Sequence, residues 1–170
     1  MQSIIDTARN AASAVTSTVA PAHHHSEEDH AKSLPADATA GPIKSIDEEG
    51  LLVFEDDAVR HEVLVKIRKL ALEDERHGLG EVAALNLTDA EGEIKKAGQY
   101  YHPKRYFTVT RATGTDYIGE VEIEEGKSIH IRAHKAGAAH TPTFHSIDTR
   151  PSDEGGAVFK TGEALVWFDY

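Results

Sequence analysis

Two neighbouring stretches of the chain alternate apolar and polar residues so regularly that their pairing can be predicted. Residues 117–124 read Y-I-G-E-V-E-I-E and residues 128–134 read S-I-H-I-R-A-H, with three residues between them. Alternation with a period of two is typical of strands that bury one face, so the stretches predict an antiparallel hairpin. A three-residue loop would place Ile123 opposite Ile129 and Val121 opposite Ile131 on the buried face.

The other face of this predicted hairpin carries charged residues. The same register pairs Glu122 with His130 and Glu120 with Arg132, which is typical of a solvated ladder of ion pairs. His130 and His134 are also the first candidates for metal ligands in this part of the chain. The ladder offers them an alternative role as surface residues.

The composition limits the classes of function that the chain can have. The absence of cysteine excludes disulfides, thiolate metal sites and a cysteine nucleophile. A net charge of −11 argues against nucleic acid and against an anionic membrane surface as partners. Residues 1–20 lack the features of a secretory signal, and no apolar run approaches the length of a membrane span. We therefore expect a soluble, cytoplasmic protein.

The distribution of aromatic residues divides the chain into a tail and a domain. Every Phe, Tyr and Trp lies at or after Phe54. Residues 1–20 carry a narrow, alanine-rich apolar stripe that predicts a weak amphipathic helix. Residues 21–42 contain many Ala, His and Pro residues and predict a disordered linker, because they cannot bury enough apolar surface to offset their ordering entropy. Residues 43–170 predict the folded domain.

Within that domain the sequence predicts one long helix and at least seven short strands. Asp56 and Asp57 are candidate N-caps for a helix over residues 58–76. Strands are predicted at 51–54, 82–87, 93–96, 105–111, 117–124, 128–134, 143–148, 157–159 and 164–168, the last two as a hairpin. This order predicts an α+β fold in which a curved antiparallel sheet or partial barrel packs on the helix, with a flexible N-terminal arm.

Histidine is the unusual component, at 11 of 170 residues. Four histidines lie in the tail among carboxylates: His23, His24, His25 and His30. Adjacent imidazoles in a flexible chain chelate divalent transition metals weakly and without selectivity. The tail therefore predicts weak chelation, with an ordinary polar linker as the alternative.

The domain histidines predict a second candidate metal site. Two residues four apart in a regular strand are about 13 Å apart, so His130 and His134 cannot share one metal ion. A metal site would instead combine residues from different strands and loops, with His102, His140 and His145 as the candidate ligands. No H-E-x-x-H motif supports such a site. A divalent transition metal is therefore one candidate cofactor, and exposed or hydrogen-bonded histidines are the alternative.

Residues 100–106 combine three tyrosines, a histidine and two basic residues around a proline. Aromatic faces beside cations are suited to an anionic or aromatic ligand, so this stretch is a candidate pocket wall. The alternative is that the tyrosines cover a sheet edge. With histidines and an arginine of the neighbouring strands, the candidate ligand-binding residues are Tyr101, His102, Arg132, His134 and His145.

Three functions remain open from the sequence. No P-loop, dinucleotide-binding fingerprint or nucleophile elbow is present. The first is a non-enzymatic binding or stress-associated protein whose β-rich domain takes a small molecule or a protein partner. The second is a small metal-assisted or acid–base enzyme of lyase, isomerase or hydrolase type. The third is an assembly protein that docks on a partner, or forms a homo-oligomer, through residues 1–20.

Overall fold

The computed structural model describes residues 29–73, 100–150 and 156–169. The predicted helix over residues 1–20, and with it the assembly function, lies outside these ranges, as do the predicted strands at 82–87 and 93–96. The described residues form two α-helices and seven strands, arranged as an α+β fold with a curved antiparallel half-barrel sheet. Their bounds are α1 Glu48–Phe54, α2 Asp57–Glu73, β1 Thr39–Ala40, β2 Lys44–Ser45, β3 His102–Arg111, β4 Gly114–Glu124, β5 Lys127–Lys135, β6 Thr143–Ile147 and β7 Phe159–Lys160.

The sheet is built around the three long strands. Its main path runs β1-β3-β4-β5-β6, while β2 also pairs with β3 and β7 also pairs with β5, and every pairing is antiparallel. The predicted strands at 105–111 and 143–148 are confirmed as β3 and β6. Within the described ranges, no helix is both long enough and apolar enough to cross a membrane.

Helix α2 begins where the sequence predicts it. The Oδ1 atom of Asp56 accepts hydrogen bonds from the backbone N–H groups of Ala58 and Val59, at 3.0 and 3.1 Å. This is the geometry of an N-cap, which satisfies donors that have no partner inside the helix. Residues 74–76 of the predicted helix lie outside the described residues. The buried stripe is Val59, Val63, Leu64, Ile67 and Leu70.

The predicted strand at 51–54 is wrong, because these residues form the second half of helix α1. The side chain of Asp47 accepts a hydrogen bond from Gly50 N at 3.0 Å and caps this helix. Glu48 and Glu49 then lie in its first turn, where negative charge is favourable. An apolar run of four residues has no period that separates strand from helix, so the cap upstream decided the structure.

The predicted hairpin is confirmed as β4 and β5, but its predicted register is wrong by two residues. Val121 faces Ile129 rather than Ile131, residues 125–126 form the turn, and the register shifts at Ile123. A bulge at Ile123 thus replaces the third loop residue. Since the error is an even number of residues, every side chain keeps its predicted face.

The second face of the sheet is not solvated as predicted, and this is a correction to the expected ion-pair ladder. Glu120 and His130 are only 1% and 0% exposed there, and Arg132 is also buried. One face packs on the helices through a cluster that includes Phe54, Ile67, Val121 and Ile131. The other face has a core of its own, formed by Phe107, Val109, Ile118, Leu165, Trp167 and Phe168. Both faces of the sheet are therefore buried.

Two segments without long helices or strands cover this second face. The predicted strand at 164–168 has no strand pairing, and β7 pairs with β5 instead of with it, so residues 164–169 cross this face without regular structure. Residues 29–42 belong to the expected linker, yet β1 pairs with β3, and Leu34 packs on the second core. The two segments meet where Trp167 N donates to His30 O at 3.0 Å. Ordered structure therefore extends upstream of residue 43.

Candidate functional site

Three of the five predicted ligand-binding residues lie together at one end of the sheet. His134 of β5 faces Asp116 of β4, and Arg132 lies two residues earlier on the same strand. Arg132 pairs with Ser146 and Ala133 pairs with Phe144, so His145 lies between them on β6 without a pairing partner on β5. We call Arg111, Asp116, Arg132, His134 and His145 the Asp116 cluster.

Asp116 is the buried centre of this cluster. Its Oδ2 atom accepts two hydrogen bonds from Arg111, at 2.8 and 3.1 Å. Its Oδ1 atom accepts from Arg132 Nε at 3.4 Å and from His134 Nδ1 at 3.1 Å. Burial alone would raise the pKa of Asp116, but the charge of Arg132 and the bonds from Arg111 and His134 hold it below its ordinary value. Asp116 is therefore an ionised carboxylate at neutral pH.

The hydrogen bond to Asp116 fixes the orientation of the His134 imidazole and the position of its Nδ1 proton. An ionised carboxylate only accepts hydrogen bonds, so the proton on this imidazole is assigned to Nδ1. In the neutral imidazole Nε2 then carries the lone pair, whereas an imidazolium carries N–H on both nitrogens. The side chain is 27% exposed. The arrangement gives a partly exposed base with a fixed orientation, which can bind a polar ligand or accept a proton.

His145 adds a second, exposed imidazole to the cluster. Its Nδ1 atom lies 2.8 Å from the hydroxyl of Ser146. Partial burial and the positive charge of Arg132 lower the pKa of His145, against the opposing effect of Asp116 and Asp169. His145 is therefore a neutral hydrogen-bonding group at neutral pH.

Segment 164–169 covers the guanidinium of Arg132. The Nη1 atom of Arg132 donates to Asp169 Oδ1 at 3.0 Å and to Phe168 O at 3.3 Å. The ring of Trp167 lies 4.3 Å from this guanidinium and 5.5 Å from that of Arg111. Trp167 is the single tryptophan of the chain. Its emission is therefore a reporter of changes at the cluster.

A second charged group lies further along the same face and has a structural role. Glu120 accepts from Arg105 Nε and Nη2 at 3.2 and 3.0 Å and from Gly162 N at 3.0 Å. Burial alone would raise the pKa of Glu120, but the His130 imidazole and the Arg105 guanidinium lower it to about 2. Arg105 also donates to Glu163 O. These contacts tie the turn at residues 161–163 to the sheet.

Tyr101 and His102 do not join the cluster. Tyr101 is only 3% exposed, and its hydroxyl donates to the carbonyl of Phe54 at 2.8 Å, so it is a core residue. His102 begins β3, where it faces Glu122, with its ring 4.3 Å from that of Tyr100. The β3 residue that faces Asp116 is Val109, which lies seven positions after His102, a distance of roughly 23 Å. His102 thus lies at the opposite end of the sheet.

The candidate metal set is not assembled in the described part of the chain. His102 lies far from His145, while His140 is exposed in the loop between β5 and β6. Within residues 29–73, 100–150 and 156–169, no three side chains of the His, Asp and Glu types are arranged to hold a metal ion. His30 is buried against Phe107, with its Nε2 atom donating to Gly41 O at 2.9 Å. The other tail histidines, at 23–25, lie outside the described residues.

Sequence reasoning missed Asp116 and Trp167. In the predicted register His134 would face Ile118, whereas in the observed register it faces Asp116. The bulge at Ile123 therefore hid the contact between Asp116 and His134. Nothing in the sequence indicates that Trp167 lies over Arg132, because that placement depends on a segment without regular structure.

Comparison with protein-family models, with curated proteins and with solved structures finds no match to this chain. The candidate site is therefore argued from its own geometry.

Proposed function

We propose that the protein is a non-enzymatic binding protein that takes a small organic anion at the Asp116 cluster. The observation that carries this proposal is the charge of the cluster. Two guanidinium groups, of Arg111 and Arg132, surround one buried carboxylate. Counted alone, the cluster carries one net positive charge, which the exposed Asp169 carboxylate balances through its ion pair with Arg132. An anion that takes the place of Asp169 would therefore meet one uncompensated positive charge.

The partly exposed imidazoles supply the contacts that a ligand would meet first. Nε2 of His134 is the ring nitrogen left for a ligand, because Nδ1 is held by Asp116. An imidazolium donates from Nε2 to an anion, whereas a neutral imidazole with its proton on Nδ1 only accepts there. His145 lies close enough to Arg132 and Asp116 for their charges to shift its pKa. A few convergent polar groups beside apolar and aromatic side chains are typical of small-molecule sites. A small molecule as partner and a cytoplasmic location are parts of this proposal.

Titration with small anions tests the binding function. Acetate, succinate and inorganic phosphate would be added at constant ionic strength while the emission of Trp167 is recorded. We expect a saturable change for at least one anion, with weaker binding in His134→Ala. His61→Ala is the matched control, because His61 is an exposed residue of α2 on the other face of the sheet. A non-saturating response, or equal affinity in both variants, would count against the proposal.

A second candidate function is acid–base catalysis of the hydrolase type, favoured by the contact between Asp116 and His134. A carboxylate that holds Nδ1–H orients an imidazole so that Nε2 acts as a general base. Hydrolysis of p-nitrophenyl acetate separates the two functions. A general base predicts a rate that falls at least tenfold in His134→Gln and stays unchanged in His61→Gln. Equal rates in the wild type and both variants would leave binding as the better assignment.

A further inference from the structure

We propose that the anion bound by the Asp116 cluster is a carboxylate. In the absence of this ligand, the Asp169 carboxylate occupies the ligand's position on Arg132. This inference rests on the proposed function. A guanidinium that is removed from water needs anionic or carbonyl partners. Arg132 has such a partner on each side. Asp116 faces its Nε atom, and Asp169 faces its Nη1 atom.

The two carboxylates differ in what their departure from Arg132 would cost. Asp116 is 1% exposed and is also held by Arg111 and His134, so it cannot leave without losing buried contacts. The side chain of Asp169 is 67% exposed, and Arg132 is its one ion-pair partner among the described residues. A carboxylate at the surface regains its hydration when it moves away, and such pairs contribute little to stability. Asp169 is therefore the exchangeable partner.

The chemistry of the position selects the ligand class. Arg132 Nη1 donates to a carboxylate oxygen of Asp169 at 3.0 Å and to the carbonyl oxygen of Phe168 at 3.3 Å. A ligand carboxylate keeps these contacts and the single negative charge. A phosphate would bring further negative oxygens toward the Phe168 carbonyl and the Asp116 carboxylate, which repel them. Planar carboxylates also match the donor geometry of guanidinium.

Removal of the competing carboxylate tests the inference. Acetate and inorganic phosphate would be titrated into the wild type, Asp169→Asn and Glu124→Gln, with Trp167 emission and calorimetry as readouts. Glu124→Gln is the matched control, because it removes one exposed carboxylate at the end of β4. We expect Asp169→Asn to bind acetate about two- to fivefold more tightly than the wild type, the range for one half-exposed ion pair. Glu124→Gln should match the wild type.

The possible results separate this inference from the function on which it rests. Acetate binding that is equal or weaker in Asp169→Asn would overturn the role of Asp169 and leave the anion-binding function standing. Phosphate binding that is tighter than acetate binding would overturn the ligand class. The absence of binding by either anion in the wild type and in Asp169→Asn would overturn the anion-binding function, and this inference with it.

Discussion

Glu120 and His130 face each other across β4 and β5, with Oε2 and Nε2 3.8 Å apart and both side chains buried. This distance is longer than a hydrogen bond, so the imidazole does not bond the carboxylate directly. Neither nitrogen of His130 has a hydrogen-bond partner among the described residues, and its ring stacks on Phe159 at 4.0 Å. His130 therefore packs as an aromatic core residue, while Arg105 supplies the hydrogen bonds to Glu120.

Replacement of Glu120 tests whether this buried group holds the second face together. Glu120→Gln removes the charge that compensates Arg105 while preserving the shape of the side chain. We expect a loss of about 1–3 kcal/mol in the free energy of unfolding, because the hydrogen bonds that the partly exposed Arg105 donates to the buried carboxylate lose their charge assistance. Urea denaturation measures the loss. Glu124→Gln, at an exposed position, should change stability by less than about 0.5 kcal/mol.

The low pKa of Glu120 predicts a defined acid sensitivity. Its pKa falls from an ordinary value of 4.5 to about 2 in the folded state. The unfolded state therefore binds the proton more readily, so the stabilisation is complete above pH 4.5 and is lost as the pH falls toward 2. A shift of this size corresponds to about 3 kcal/mol. The lowered pKa of Asp116 acts in the same direction.

Urea denaturation at pH 6, 4.5 and 3 checks this pH dependence. The wild type should lose stability between pH 4.5 and 3, and Glu120→Gln should lose less over the same interval. Equal losses in the two proteins would assign the acid sensitivity to other carboxylates, such as Asp116 or Asp47, whose pKa values are also lowered.

The elements predicted correctly are those whose signals are local. Asp56 supplies a cap that begins α2, and the alternation of β4 and β5 assigns each residue to a face. The register failed because a bulge at Ile123 and a loop of three residues fit the alternation equally well. Alternation distinguishes two faces but does not say which of them meets water.

The site was predicted only in part, because its composition depends on contacts between distant segments. Arg132, His134 and His145 come together because β5 and β6 are adjacent, as expected of consecutive strands. Tyr101 lies apart from the cluster, and its hydroxyl donates to the Phe54 carbonyl, 47 residues away in sequence. The burial of Glu120 likewise depends on a segment that crosses the second face without regular structure.

Tyr101→Phe separates a core role from a ligand-binding role. The Tyr101 hydroxyl satisfies the carbonyl of Phe54, which is the last residue of α1 and has no partner within the helix. We expect the variant to lose about 1–2 kcal/mol of stability, because a buried acceptor is left unsatisfied. Anion affinity at the Asp116 cluster should stay unchanged. Tyr100→Phe is the control and should cost less, since the Tyr100 side chain is exposed and the Glu122 carboxylate that it bonds keeps Lys104 as an ion-pair partner.

Gly119 is required by its close approach to Phe54. A Cβ atom at this position would lie 2.4 Å from Cζ of the Phe54 ring, a distance that real contacts do not reach. Alanine in a strand is otherwise more favourable than glycine by about 0.5–1 kcal/mol, so propensity and packing have opposite signs here. Overpacking costs about 1–3 kcal/mol, and the ring is completely buried. We therefore expect Gly119→Ala to be destabilising by about 2 kcal/mol.

A double-mutant cycle with Phe54→Leu tests the cause of that loss. Leucine removes the ring atoms that the new methyl group would meet, so Gly119→Ala should cost less than about 1 kcal/mol in the Phe54→Leu background. The interaction energy is read from urea denaturation of the wild type, both single variants and the double variant. If Gly119→Ala costs the same in both backgrounds, the backbone rather than the ring requires glycine, and the packing argument is wrong.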